Sequence, residues 1–314
     1  MAAANQFAAQ HGFADEYPFE SHFVEVDGQK IHYVEEGTGE TILCVHGNPT
    51  WSFAWRKIVQ RLSDRYRVIA IDHLGCGLSD KPTGHAYSLA GHISNLQSLV
   101  TQLDLKQITL FAHDWGGAIG MGTAGKMPER FSRFALFNTA AFRSKNIPLR
   151  IAACRIPFFG TFVLRGLNAF SRAALTMAVE KQDRMTQAVK RGYLAPYDSW
   201  ANRAAVNAFV KDIPLRASHP SWQTLIDVEA GLEQFKDHPM LLVWGEQDWC
   251  FTTKFLDEFE QRFPQAETLR IPDGGHYVFE DSYEIFLPRV EEFLSQHPRR
   301  VGTAHRIVSL RNLR

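Results

Sequence analysis

At 314 residues, with 45% hydrophobic and 22% charged side chains, the chain has an ordinary globular composition, enough for one large domain or a domain with an insertion. Its 34 Lys and Arg balance 34 Asp and Glu, so no overall field draws it to nucleic acid or to an anionic membrane. No apolar run approaches the roughly 18 residues of a membrane span, and the N-terminus lacks a basic region followed by an apolar core, so a cytoplasmic location is expected.

Residues 1–21 are set aside as an N-terminal extension. His22–Gly37 then alternates as two strands around an Asp27-Gly28 turn. "TILCVHG" is a short buried strand running into a glycine loop, "FAWRKIVQRLS" has helical spacing, and "YRVIAID" is another buried strand. Next, Leu89, Ile93, Leu96, Val100 and Leu103 share one helical face, with Ser88 placed as N-cap. "QITLFAH", "WGGAIGMGTAGKM" and "FSRFALFNT" read as strand, helix and strand. Apolar strands alternating with helices indicate a mostly parallel sheet covered on both faces. From about residue 143 to 221 this rhythm stops and helical segments such as "FFGTFVLRGLNAFSRAALTMAVEK" take over. It resumes at "HPMLLVWG" and closes with "SYEIFLPRVEEFLSQ". The reading is a core of residues 22–142 and 222–296, a helical insertion at 143–221, and a basic tail at 297–314. Cys44, Cys76, Cys154 and Cys250 have no metal-like spacing and read as reduced thiols; no metal is expected.

The chemistry centres on "FAHDWGG". Asp114 falls between small residues at Ala112 and Gly116, the spacing of a nucleophile elbow, where a strand turns sharply into a helix and exposes one side chain at the helix N-terminus. The plainer alternative is a helix-capping aspartate. His276, in the glycine-rich loop "IPDGGHYVFED", stands where an α/β-hydrolase carries its general base. Asp248, in "LLVWGEQDWC", gives the chain order nucleophile, acid, histidine; Glu246 is a rival on a shorter loop, and Asp273 reads as a turn residue. The loop "VHGNPTWSFAW" supplies the other wall. Backbone N–H groups of Asn48 and Trp115 are candidates for the oxyanion hole, and both residues carry side-chain N–H donors suited to a small anion.

"HGNPT", "RVIAIDHLGCGLSDKP" and "HDWGG", with the loops around Asp248 and His276, resemble the haloalkane dehalogenases of the α/β-hydrolase superfamily from about His22 to Leu294. The resemblance implies an α/β-hydrolase fold with an eight-stranded, mostly parallel sheet and a helical cap. It implies Asp114, His276 and Asp248 as the triad and Asn48 and Trp115 as the halide pair, the combination of the third subfamily. The branch that takes its acid after the next strand is not matched, since "LFNTAAF" offers Asn138 and Thr139. A carboxylate nucleophile fits that chemistry. Displacing halide from an alkyl carbon with a serine would leave an ether, whereas Asp114 would leave an ester that His276-activated water can hydrolyse. The expected partners are a small organohalide, water and halide, with no cofactor, no nucleic acid, no membrane, and homo-oligomerisation left open. An epoxide hydrolase is the nearest rival, with Tyr193 and Tyr197 of the insertion as proton donors; a non-catalytic binding protein of the same fold is the other.

Overall fold

The computed structural model describes residues 3–144 and 147–298, so most of the basic tail lies outside the described residues. Eight strands, β1 (His22–Val26), β2 (Gln29–Glu36), β3 (Glu40–Val45), β4 (Tyr66–Ile71), β5 (Ile108–Asp114), β6 (Phe131–Thr139), β7 (Met240–Gly245) and β8 (Glu267–Ile271), form one sheet. Their order is β1-β2-β4-β3-β5-β6-β7-β8. The first two pairings, β1 with β2 and β2 with β4, are antiparallel, and β3 to β8 run parallel with β4. Asp27 and Gly28 both adopt positive φ, 50° and 75°, the backbone of a tight hairpin turn that matches strand twist.

The helices are α1 (Ala3–Gln10), α2 (Arg56–Leu62), α3 (Leu89–Gln102), α4 (Trp115–Lys126), α5 (Leu149–Cys154), α6 (Phe159–Thr161), α7 (Ala169–Met177), α8 (Gln187–Leu194), α9 (Ala204–Lys211), α10 (Trp222–Gly231), α11 (Thr253–Arg262), α12 (Val278–Asp281) and α13 (Tyr283–Gln296). Ser88 caps α3, its hydroxyl accepting the Gly91 N–H at 3.2 Å. Every residue of β5 and β7 is buried, which is why these strands read as continuous apolar runs rather than alternating ones. Two large hydrophobic clusters lie in the molecule, one holding the α3 and α4 side chains, the other Trp51, Trp55 and the α13 side chains.

Strands β4 and β5 flank β3 on opposite sides, so the chain reverses its direction of sheet growth there. Loops leaving the C-terminal ends of β3 and β5 therefore part and leave a crevice, the usual ligand position in an open parallel sheet. Asn48 follows β3 and Asp114 ends β5, so the topology sets both candidate residues at that crevice.

Between β6 and β7 the described residues run through helices, turns and loops with no strand, and the helical-looking segment over 158–181 is not continuous. Phe158 and Asn168 take positive φ, 60° and 50°, and a π-type turn occupies Phe162–Gly166. Gly160 sits where an added Cβ would lie 1.9 Å from the Cys154 carbonyl oxygen, so the segment folds back tightly on α5. The N-terminal extension is also packed: Ala8, Phe13, Tyr17 and Phe19 are buried against Trp51 and Phe53, and the Tyr17 hydroxyl meets Ser52 Oγ at 2.6 Å.

Asp72, one residue past β4, clamps the loops beneath the crevice. Its Oδ2 accepts from His32 Nδ1 at 2.7 Å and the Leu78 N–H at 2.8 Å, and its Oδ1 from the Ser52 N–H at 2.7 Å. Burial opposes its charge, yet His32, His46 and the Leu78 N–H outweigh that and hold the carboxyl below the ordinary 3.8. Its ionised form therefore stabilises the fold above pH 3.8, and this support is lost as pH falls through the depressed folded value. Asp72→Ala is expected to cost about 3–5 kcal/mol at neutral pH, since His32 and two N–H groups lose a buried partner. Urea unfolding should also show a flatter acid dependence in the variant than in the natural chain.

Candidate active site

Asp114 sits at the junction of β5 and α4 with φ 52° and ψ −126°, a conformation that costs a non-glycine residue of order 1–3 kcal/mol. Close neighbours hold it there. A Cβ on Gly116 would lie 2.1 Å from the Val45 carbonyl oxygen, and one on Gly47 would lie 2.0 Å from Asp114 Oδ1, so both glycines are sterically required. The Thr139 hydroxyl donates to the Asp114 carbonyl, tying the elbow to the end of β6. The side chain makes no capping hydrogen bond of the ordinary kind to α4, which disfavours the plain capping alternative.

The Asp114 carboxylate is itself held by the expected anion hole. The Asn48 N–H donates to its Oδ1 at 2.6 Å, and the Trp115 N–H also stabilises its charge. Burial nonetheless dominates and raises the carboxyl above the ordinary 3.8, with His276 and these two N–H groups offsetting part of that rise. His276 Nε2 lies 3.8 Å from Asp114 Oδ2, and its Nδ1 lies 2.7 Å from Asp248 Oδ2. Burial disfavours the imidazolium, but the Asp248 carboxylate, its hydrogen bond and the Asp114 charge together raise the histidine above 6.5. Asp114, His276 and Asp248 thus form one connected array. Glu246 does not enter it and lies near Arg270 on the surface; Asp273 pairs with Lys181 in the open.

Asp248 is more firmly held than its sequence context discloses. Its Oδ1 accepts from the N–H groups of Cys250 and Phe251, at 2.6 and 3.1 Å, and its Oδ2 from Asn138 Nδ2 at 3.0 Å as well as from His276. Asn138 also exchanges hydrogen bonds with both backbone groups of Gly245, at 2.8 and 3.0 Å. The position that lacks a carboxylate therefore carries the amide that orients one. Asn138→Ala is expected to lower unfolding free energy by about 1–3 kcal/mol through the orphaned Gly245 groups. It is also expected to slow turnover roughly tenfold by loosening Asp248; chemical denaturation and steady-state kinetics read the two effects. His113, likewise missed, lies buried beside the histidine loop, with its Nε2 and the His276 carbonyl 2.9 Å apart. Its only sequence signal was its place beside Asp114.

The proposed side-chain anion pair is less symmetrical than expected. Trp115 and Asn48 both line the cavity above Asp114. One N–H of the Asn48 amide, however, donates to the Val206 carbonyl at 3.2 Å, leaving one for a ligand, and its Oδ1 has no partner among the described residues. The two insertion tyrosines do not serve the site. Tyr193 donates to Glu280 Oε1 at 2.5 Å and Tyr197 to the Thr50 carbonyl at 2.9 Å, and neither lines the cavity. They anchor the insertion to the core instead, Tyr193 through Glu280, which also forms a buried bidentate pair with Arg56. This removes the two proton donors that the epoxide-opening reading named.

The cavity measures about 640 Å³ and opens over Asp114, Trp115 and His276. Its walls come from the insertion, α10 and the β7–α11 loop, with Ile151, Phe170, Met177, Val210, Leu225 and Phe251 among them. No group of side chains suited to hold a metal ion occurs among the described residues.

The alpha/beta hydrolase fold family matches residues 40–283. A cis-3-alkyl-4-alkyloxetan-2-one decarboxylase of Shewanella oneidensis is 41% identical over 285 residues, covering 89% of each chain. Haloalkane dehalogenase 2 of Mycobacterium tuberculosis is 34% identical over 271 residues, 85% of this chain and 92% of that one. Among solved structures, a haloalkane dehalogenase from Agrobacterium tumefaciens superposes with a TM-score of 0.81 at 26% identity, covering 89% of this chain and 97% of that one. The dehalogenase resemblance thus stands beside a greater similarity to an oxetanone decarboxylase. Because the family match runs unbroken from the strand before the Asn48 loop to the helix after His276, the chain belongs to the α/β-hydrolase fold family.

Proposed function

We propose that the protein opens 3,4-dialkyl β-lactones at Asp114 and releases carbon dioxide and an alkene. The observation that carries this reading is the cavity: about 640 Å³ of mostly apolar wall over a single buried carboxylate. A small haloalkane would leave much of that space unfilled, whereas a four-membered ring bearing two alkyl arms would bury both arms against apolar side chains. The 41% identity to a decarboxylase of such lactones supports the same choice.

The proposed chemistry balances without water. Asp114 Oδ attacks the ring carbon that bears the ring oxygen; that carbon–oxygen bond breaks and its electron pair leaves on the freed carboxylate. The remaining Asn48 amide N–H and the Trp115 indole are the candidates to stabilise that anion. The bond to the carboxylate carbon then breaks, carbon dioxide departs, the electron pair forms the carbon–carbon double bond, and Asp114 leaves as a carboxylate. His276, held by Asp248, stabilises the charge returning to Asp114. Inversion in the first step and anti departure in the second carry a cis-lactone to a cis-alkene.

Hydrolytic dehalogenation remains the second reading, favoured by Asn48 and Trp115 beside the nucleophile. It shares the first step, with halide in place of the lactone carboxylate, and then needs His276 to activate water. Purified protein incubated separately with a cis-3,4-dialkyloxetan-2-one and with bromohexane distinguishes the two. Cis-alkene with little bromide is the expected result. Rapid bromide release with no alkene would overturn the lactone reading in favour of dehalogenation.

A further inference from the structure

The wall of the cavity formed by the insertion is apolar on its outer side as well. Ile151 and Val163 face the cavity, while Leu149 is 87% exposed, Phe158 92%, Phe162 58% and Phe159 57%. Ile156 and Leu167 extend the same stretch of surface-exposed apolar side chains. Large apolar side chains exposed this densely along one segment are unusual in a chain that stays in water, and they mark a contact surface.

The segment that carries them is itself basic, although Arg143 at its start pairs with Glu229 at 2.6 Å. Residues 143–179 contain six basic residues and no Asp or Glu, although the whole chain is neutral. Arg143, Arg150 and Arg172 are exposed. Arg165 lies over the half-exposed Trp200 ring at 4.6 Å and donates to the Trp200 carbonyl at 3.0 Å. Exposed Phe, Leu and Trp side chains among arginines form the pattern that settles at the headgroup level of a bilayer. The arginines add attraction to anionic headgroups, and the aromatic and aliphatic side chains enter the acyl boundary.

We propose that the outer face of the insertion, built on Leu149, Ile156, Phe158, Phe159, Phe162 and Leu167, docks on the surface of an anionic phospholipid bilayer. Docking places the cavity wall against the acyl phase, so a water-insoluble substrate reaches Asp114 without crossing bulk water. Contact is peripheral, since no helix among the described residues is long and apolar enough to cross a membrane. The inference rests on the surface and not on which bond Asp114 attacks, so its test uses binding rather than turnover.

The test is co-sedimentation of the full chain with vesicles of phosphatidylglycerol and phosphatidylcholine mixed, or of phosphatidylcholine alone, at low and high salt. Recovery with the anionic vesicles, falling with added salt, is expected. Replacing Phe158 and Phe162 together by aspartate should lower the bound fraction roughly tenfold or more. The same double variant should retain turnover of a short, water-soluble substrate, because neither residue lines the cavity. No recovery of the natural chain with anionic vesicles overturns the proposal. So does equal recovery of the natural chain and the double variant. A vesicle-free dimer that the double variant dissociates also overturns it, assigning the patch to a second copy of the chain.

Discussion

Asp114→Asn is expected to lower turnover by about 10⁴-fold or more while leaving the melting temperature unchanged or higher. The activity loss follows from the chemistry. An amide is a poor nucleophile towards a saturated carbon, and every step of either proposed reaction passes through a bond to Asp114. The stability expectation follows from the charge. Burial raises the folded-state carboxyl above 3.8, so the ionised group is less favourable folded than unfolded, a cost present at neutral pH, relieved as pH falls through the raised folded value and gone below 3.8. Asparagine removes the charge but keeps an oxygen for the Asn48 N–H that now lies 2.6 Å from Oδ1. It is also nearly isosteric with aspartate, so the neighbours that hold the 52° elbow meet the same shape. Thermal unfolding and product assays on the same preparation test both halves. A sharply lowered melting temperature would show that the carboxylate holds the elbow together, and retained turnover would remove Asp114 as the nucleophile.

The core of the fold was legible because its signals are local. Continuous apolar runs marked β3 to β7, Asp27-Gly28 marked the hairpin, and the small–x–Asp–x–small spacing marked the elbow. The pairing of His276 with Asp248 followed from their places in the loops after β8 and β7. What the sequence hid depends on packing across distance. Asn138 orients Asp248 from 110 positions away, and nothing in "LFNTAAF" announces that an amide supports the acid there. Tyr193 and Tyr197 had the right chemistry for an epoxide site, but tertiary contacts with Glu280 and Thr50 turn their hydroxyls elsewhere. The segment over 158–181 reads as helical, yet positive φ at Phe158 and Asn168 breaks it, a consequence of close packing that local propensity does not encode.

The charge total is silent on distribution for a related reason. Balanced totals of 34 and 34 mean no overall field, but a sum over the chain says nothing about segregation. The acid-free stretch at 143–179 is visible in the sequence once its boundaries are known. Its meaning depends on knowing that Phe158 and Phe162 point outward rather than into the core.

His276→Ala is expected to separate the two chemistries, because they differ in their use of water. With bromohexane, the first step needs only Asp114, so the variant should release about one bromide per protein molecule and then slow by about 10²–10⁴-fold. The alkylated Asp114 should then be visible as a mass increase on the intact chain. With the dialkyl lactone, Asp114 departs by fragmentation and no water is consumed, so the variant should continue past one turnover, more slowly, without an accumulating adduct. Their pH dependences should part in the same way. Water activation requires neutral His276, whose pKa Asp248 and Asp114 raise above 6.5 despite burial, so bromide release by the natural chain should fall as pH drops through that raised value. Alkene formation requires ionised Asp114 but no neutral His276, so it should persist to lower pH, failing as the Asp114 carboxyl, itself raised above 3.8, takes up its proton. A lactone adduct that stalls in the variant, with β-hydroxy acid as the product of the natural chain, would show that water enters the lactone reaction as well. His276 would then be a general base for both substrates, and the fragmentation route would be excluded.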